Sequence, residues 1–161
     1  MRTRTTFRAA ALVLLLFPTL YAAAVRLLLR RNLSRLRTGD LGPMVALFAP
    51  DVHFTFPGES SWAIDVRDRE AVERWEQRFL DTGLALEPRE ILISGPPWST
   101  RIALHFDDHL TTDEGERVYE NRGVIFAVAA WGKVTEFIVY EDTQKLGPLD
   151  EYLADREPTP A

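Results

Sequence analysis

The chain has 161 residues, 46% hydrophobic and 27% charged, which suffices for one globular core and does not fit a disordered chain. Its net charge of −5 argues against nucleic acid as a partner, because phosphate binding needs a basic face. It has no cysteine, which excludes disulfides, thiolate metal sites and a cysteine nucleophile.

The charge is unevenly placed. Eight Arg and no Asp or Glu precede Gly39, and all 24 acidic residues follow from Asp40 onward. Arg2, Arg4 and Arg8 lead into an uncharged run, Ala9 to Val25, of 17 residues. A membrane-spanning helix needs about 20 apolar residues, with roughly 17 as the lower limit. Three readings stand open for residues 1–24: a signal anchor, a cleaved signal peptide ending near Ala22, Ala23 and Ala24, or a soluble extension packed on a partner. Cleavage there is disfavoured, because Val25, Leu28, Leu29, Leu33 and Leu36 already fall at helical spacing. Five Arg follow the run against three before it. The expectation is therefore a membrane-anchored protein with a cytoplasmic domain, or alternatively a secreted one.

Asp40, Leu41, Gly42 and Pro43 open a short helix whose apolar side is Met44, Val45, Leu47 and Phe48, and Pro50 ends it. Residues 52–56 alternate as a strand with Val52, Phe54 and Phe56 on one face and His53 on the other. Asp68 caps a helix to about Leu80 with core residues Val72, Trp75 and Phe79, and Gly83 stops it. Four strands follow, at 84–94, 100–110, 118–129 and 133–142, with Pro88 marking an edge or a bulge. Residues 148–154 form a closing helical turn, and 155–161 read as a disordered tail. Helices early and strands late indicate an α+β fold, with helices on one face of a curved antiparallel sheet.

The last hairpin allows a register to be derived. With Trp131-Gly132 as the turn, Asn121 lies opposite Asp142, Gly123 opposite Tyr140 and Ile125 opposite Ile138, all on one face. The other face carries Arg122 with Glu141, Val124 with Val139 and Phe126 with Phe137. A one-residue change of register would exchange the two faces. The first face is the pocket candidate, since it sets a carboxylate beside a carboxamide and a phenol. His105 has no face assigned from sequence; turned inward, it would partner Asp142. Trp62 and Trp98 flank loops at an expected pocket mouth, where they could stack on a flat ligand or merely cover the core. Asp107, Asp108, His109 and Asp113 read as a solvated loop end. No zinc spacing, phosphate-binding loop or nucleophile elbow is present, so no metal and no cofactor is implied.

The segments GDLGPMVALFAPDVHFTFPG (39–58), SSW (60–62), GPPW (95–98), YENRG (119–123) and WGKVTEFIVYEDT (131–143) occur in an order that resembles the SnoaL-like and NTF2-like proteins. The resemblance spans residues 25–154. It implies a cone of sheet and helices around a pocket for a small apolar molecule, and often a homodimer. By the same resemblance Asp142 matches the pocket carboxylate that works as acid and base in SnoaL-like cyclases. Asn121 and His105 would serve beside it, and Tyr140, Trp62, Phe54, Phe56, Trp75, Trp98, Ile125 and Ile138 would line the ligand. The expected function is ligand binding with cofactor-independent isomerase, cyclase or lyase activity, or else a non-catalytic tethered or dimerising module. The ketosteroid isomerase pattern is broken, with Phe56 where that family places its base and no tyrosine on the first helix.

Overall fold

The computed structural model describes residues 3–155, with side chains described from Phe17 onward. The elements are helix α1 (Thr3–Leu36), helix α2 (Gly42–Val45), strands β1 (Phe48–Phe56) and β2 (Ile64–Arg67), and helix α3 (Arg69–Asp81). Strands β3 (Ala85–Ser94), β4 (Thr100–Thr111), β5 (Arg117–Ala130) and β6 (Lys133–Glu141) follow, then a 3-10 turn (Thr143–Lys145) and helix α4 (Leu146–Ala154). One six-stranded sheet runs in the order β2-β1-β6-β5-β4-β3. Its pairs are antiparallel except β1 with β6, which are parallel, so the expected antiparallel sheet is mixed at that seam.

Several local signals act as the residues suggest. Asp68 accepts from the backbone N–H groups of Glu70 and Ala71 at 3.1 and 3.2 Å and so caps α3. Gly83 follows the helix at φ +77°. Pro88 sits beside a bulge on the edge strand β3, where a missing donor costs no ladder bond. Three details differ. β1 begins at Phe48 and runs through Pro50, because a register shift between Phe48 and His53 accommodates the proline. β2 had no sequence signal beyond the four-residue alternation Ile64, Asp65, Val66, Arg67, and it pairs with the end of β1. α2 has no side-chain cap, and Asp40 instead faces Arg35 at 3.6 Å.

One face of the sheet meets α1 and α3 in a single core. Leu33 and Leu36 of α1, Val72 and Phe79 of α3, and Phe48, Val52, Phe54 and Phe56 of β1 are buried together with the inward residues of β4, β5 and β6. Leu28, expected on the core stripe of α1, is exposed. No helix among the described residues is long and apolar enough to cross a membrane. Part of the run expected as an anchor, residues 9–16, lies outside the described side chains, and of the tail expected at 155–161 residues 156–161 lie outside the described residues.

Candidate functional site

The inner face of the sheet is set by one extra residue. Trp131 (φ +52°) and Gly132 (φ +81°) form the β5–β6 turn, and Ala130 pairs with Lys133 as the turn demands. The next pair is Ala129 with Val134, but Val128 then pairs with Glu136. Thr135 is thus a bulge residue, and beyond it every β6 side chain changes face. Gly123 comes opposite Glu141, Val124 opposite Tyr140, Ile125 opposite Val139 and Phe126 opposite Ile138. Glu141 therefore takes the inward place that the straight register assigned to Asp142.

The expected site residues divide accordingly. Asn121 is buried, 2% exposed, and Ile125, Phe54, Phe56, Trp62 and Trp75 lie on the core side. Asp142 is exposed and caps the 3-10 turn, accepting from Gln144 N–H at 3.2 Å. Tyr140 and Ile138 face outward with Val124 and Phe126, while Val139 and Phe137, expected there, are buried. His105 is exposed, because strict alternation along β4 buries Leu104 and Phe106 on either side of it. His53 also points outward, bonded to Asp65 at 2.7 Å. Trp98 lies outside the cavity, packed on Trp131 with ring centroids 5.9 Å apart.

The cone encloses a cavity of about 80 Å³. Leu29, Leu33 and Leu36 of α1 close it above Trp75 and Phe79 of α3, and the strands contribute Ile102, Leu104, Phe106, Ile125, Phe137 and Val139. Only two lining side chains carry a charge-bearing group: Glu76 and Glu141. Glu76 follows Trp75 on α3, at i+4 from Val72 and i−3 from Phe79, so helical geometry turns it into the core. Burial raises its pKa from 4.5 to about 7, since the ion loses water and gains no partner there.

Glu141 is held by its neighbours. Its Oε2 accepts from Asn121 Nδ2 at 3.3 Å and from the Tyr119 hydroxyl at 3.4 Å. Asn121 Nδ2 also lies 2.9 Å from the Tyr119 oxygen and 3.1 Å from the Asp142 carbonyl oxygen. Asp108, opposite Asn121 on β4, is 2% exposed, so it belongs to this cluster and not to a solvated loop end. Burial pushes Glu141 up to about 8, helped by repulsion from Asp108. Burial likewise raises Asp108 to about 6, and the Tyr119 hydroxyl restrains that rise. The two carboxylates cannot both ionise cheaply, so near neutral pH the pair holds a proton. Glu141 also lines a second cavity of about 20 Å³ with Trp62, Asp108 and Tyr119. Asp108 Oδ1 and Trp62 Nε1 have no hydrogen-bond partner among the described residues. Gly123 makes room for the cluster: a Cβ there would stand 2.7 Å from both Glu141 Cγ and Phe106 Cζ.

Two signals for this site were present in the sequence. Glu76 is an acid inside an i, i+3, i+4, i+7 core pattern, and Asp108 continues the inward parity of Leu104 and Phe106. Glu141 had none, because Ile138 and Tyr140 are as apolar as Phe137 and Val139. No group of three or more His, Asp or Glu side chains among the described residues is placed to hold a metal ion.

A family model, the SnoaL-like domain, matches residues 29–137, most of the chain and nearly all of the cone. This chain belongs to the SnoaL-like family. Solved structures agree at the level of fold. An NTF2-like protein of unknown function from Burkholderia pseudomallei superposes with TM-score 0.64 at 20% identity, over 78% of this chain and 95% of that one. TerC, crystallised with polyporic acid, gives 0.62 at 19% identity, over 77% and 95%. A protein proposed as a polyketide cyclase from Xanthomonas campestris gives 0.54 at 20% identity, over 79% and 92%. No curated protein matches the sequence. The SnoaL-like match covers the helix end, α3 and most of the sheet, and so includes Glu76, Asp108 and Asn121 but stops short of Glu141.

Proposed function

We propose that this SnoaL-like domain binds a small, largely apolar molecule in the cone and that Glu141 transfers a proton on it. The observation that carries this reading is a protonatable carboxyl, near pKa 8, at the wall of a cavity whose other lining side chains are apolar except Glu76. Asn121 and Tyr119 both engage Oε2, which leaves Oε1 without a protein partner among the described residues. Glu76, near pKa 7, supplies a second proton site on the helical wall. One carboxyl can take a proton from a carbon beside a carbonyl while the other protonates the oxygen, which is the chemistry of isomerases, cyclases and lyases without a cofactor. Titration close to neutral pH keeps both forms available. A cavity of about 150 Å³ accepts benzene. This one is smaller, so a larger ligand requires its walls to move apart.

The test is proton exchange. The protein is incubated in D2O with small enolisable ketones such as acetone and cyclopentanone, and deuterium uptake is followed by NMR. Exchange should exceed the buffer rate and fall by about a hundredfold or more in Glu141→Gln, the usual scale for losing one general acid or base. Equal exchange by wild type and a Glu141→Gln variant that still binds the ketone sinks the proton-transfer role and leaves a binding protein. We further propose a homodimer through the outer sheet face, where Val124 and Tyr140 are 38% and 54% exposed beside Phe126 and Ile138.

A further inference from the structure

Two exposed tryptophans meet at one end of the sheet. Trp98 follows Gly95-Pro96-Pro97 between β3 and β4, and Trp131 occupies the β5–β6 turn. The Trp131 backbone N–H donates to the Pro97 carbonyl at 2.7 Å, which ties the two loops together. The rings pack against each other but remain 59% and 74% exposed. Trp131 also sits at φ +52°, in a turn position that favours Asn or Asp, so a bulky side chain there carries a backbone cost.

α1 leaves the domain at this same end. Tyr21 bonds Thr100 Oγ1 at 2.6 Å, Arg26 donates to Ile91 O, and Arg37 donates to Leu86 O. The helix therefore runs along β3 from its last residues back to its first. Tyr21 sits beside the end of the β3–β4 loop, and just before it Phe17 and Leu20 are 53% and 66% exposed. The sequence before Phe17 continues uncharged back to Ala9.

Arg26, Arg101 and Lys133 lie toward this end, and the stretches 17–26, 95–101 and 127–133 contain no Asp or Glu. The loops at the opposite end carry Asp113, Glu114, Glu116 and Asp142 beside Arg117 and Lys145.

We propose that this end docks on an anionic lipid bilayer, with Trp98 and Trp131 at the headgroup level beside Phe17 and Leu20 of α1. Tryptophan combines a large apolar ring with one polar N–H, which suits the boundary between headgroup and acyl chain. The basic residues face anionic lipid, and the acidic loops point to water. Exposed apolar residues in one patch, rimmed by one sign of charge, mark an interaction surface. The inference is independent of the chemistry at Glu141.

Brominated lipids give the test. Full-length protein is mixed with phosphatidylglycerol–phosphatidylcholine vesicles carrying brominated acyl chains, and with brominated phosphatidylcholine alone. Anionic vesicles should bind the protein and quench part of its tryptophan emission. That quenched part should vanish in the Trp98→Phe/Trp131→Phe variant, whose remaining emitters, Trp62 and Trp75, lie in the core. Arg101→Glu/Lys133→Glu should weaken vesicle binding by about tenfold. Protein bound with its emission unquenched overturns the proposal, because α1 then holds the tryptophan loops away from the bilayer. So does quenching that persists in the double Phe variant, or no binding to either vesicle.

Discussion

Glu76 pays for its position in a way that can be measured. Its carboxyl is protonated in the fold up to about pH 7 but only to about 4.5 when exposed. The folded state therefore binds a proton that the unfolded chain has already released. That contribution to stability is fully present below about pH 4.5 and is lost as pH rises through about 7, a change of about 3 kcal/mol by linkage. Glu76→Gln should match wild type near pH 4 and exceed it by about 3 kcal/mol near pH 8, read from urea unfolding at each pH. An unchanged pH slope would mean that the carboxylate is solvated. If Glu76 also serves the reaction, the same variant exchanges ketone protons more slowly while being more stable, the trade expected of a functional group held in an unfavourable place. Glu76 was legible as a residue: helical periodicity alone turns it inward. Glu141 was not, since nothing in its neighbours' polarity distinguishes the two faces of β6.

At the scale of the element, one bulge decides which carboxylate enters the cone. The turn at Trp131-Gly132, the strand limits of β6 and the pairing of Ala130 with Lys133 all follow from local sequence. Thr135 then adds one residue, and Asp142 and Tyr140 are carried outward while Glu141 and Val139 go in. The two registers predict opposite mutants. Asp142→Ala should cost about 1 kcal/mol as a lost cap and leave ketone exchange unchanged. Loss of exchange in that variant, with the fold intact by circular dichroism, would favour the straight register. The bulge was illegible because its cause is not local. Val134 N–H bonds Leu47 O and Phe48 pairs with Val134, so β1 lies parallel to β6 there with its own irregular register. That contact joins residues far apart in the chain. The parity of β4 was not fixed from sequence either: alternation from Ile102 to Leu110 puts Asp108 and His105 on opposite faces, but only the pairing with β5 decides that Asp108 is the inward one.

For the whole molecule, the outer sheet face gives a further expectation. Analytical ultracentrifugation at micromolar concentration should return twice the chain mass for wild type, and Val124→Glu with Tyr140→Glu should return a monomer, because paired like charges oppose a self-complementary face. A monomeric wild type would leave this face free. Composition, the helix-first order, the caps at Asp68 and Gly83 and the four late strands determined an α+β fold with helices on one face of a sheet, and the motif order added the resemblance to the SnoaL-like family. These features are local, written in turn chemistry and in periods of 3.6 and 2. Only the tertiary structure decided that Glu141 and Glu76 face one cavity and that Trp98 and Trp131 share an end with the exit of α1. Each depends on strand register and on contacts between distant segments, and residue spacing along a single chain does not carry that information.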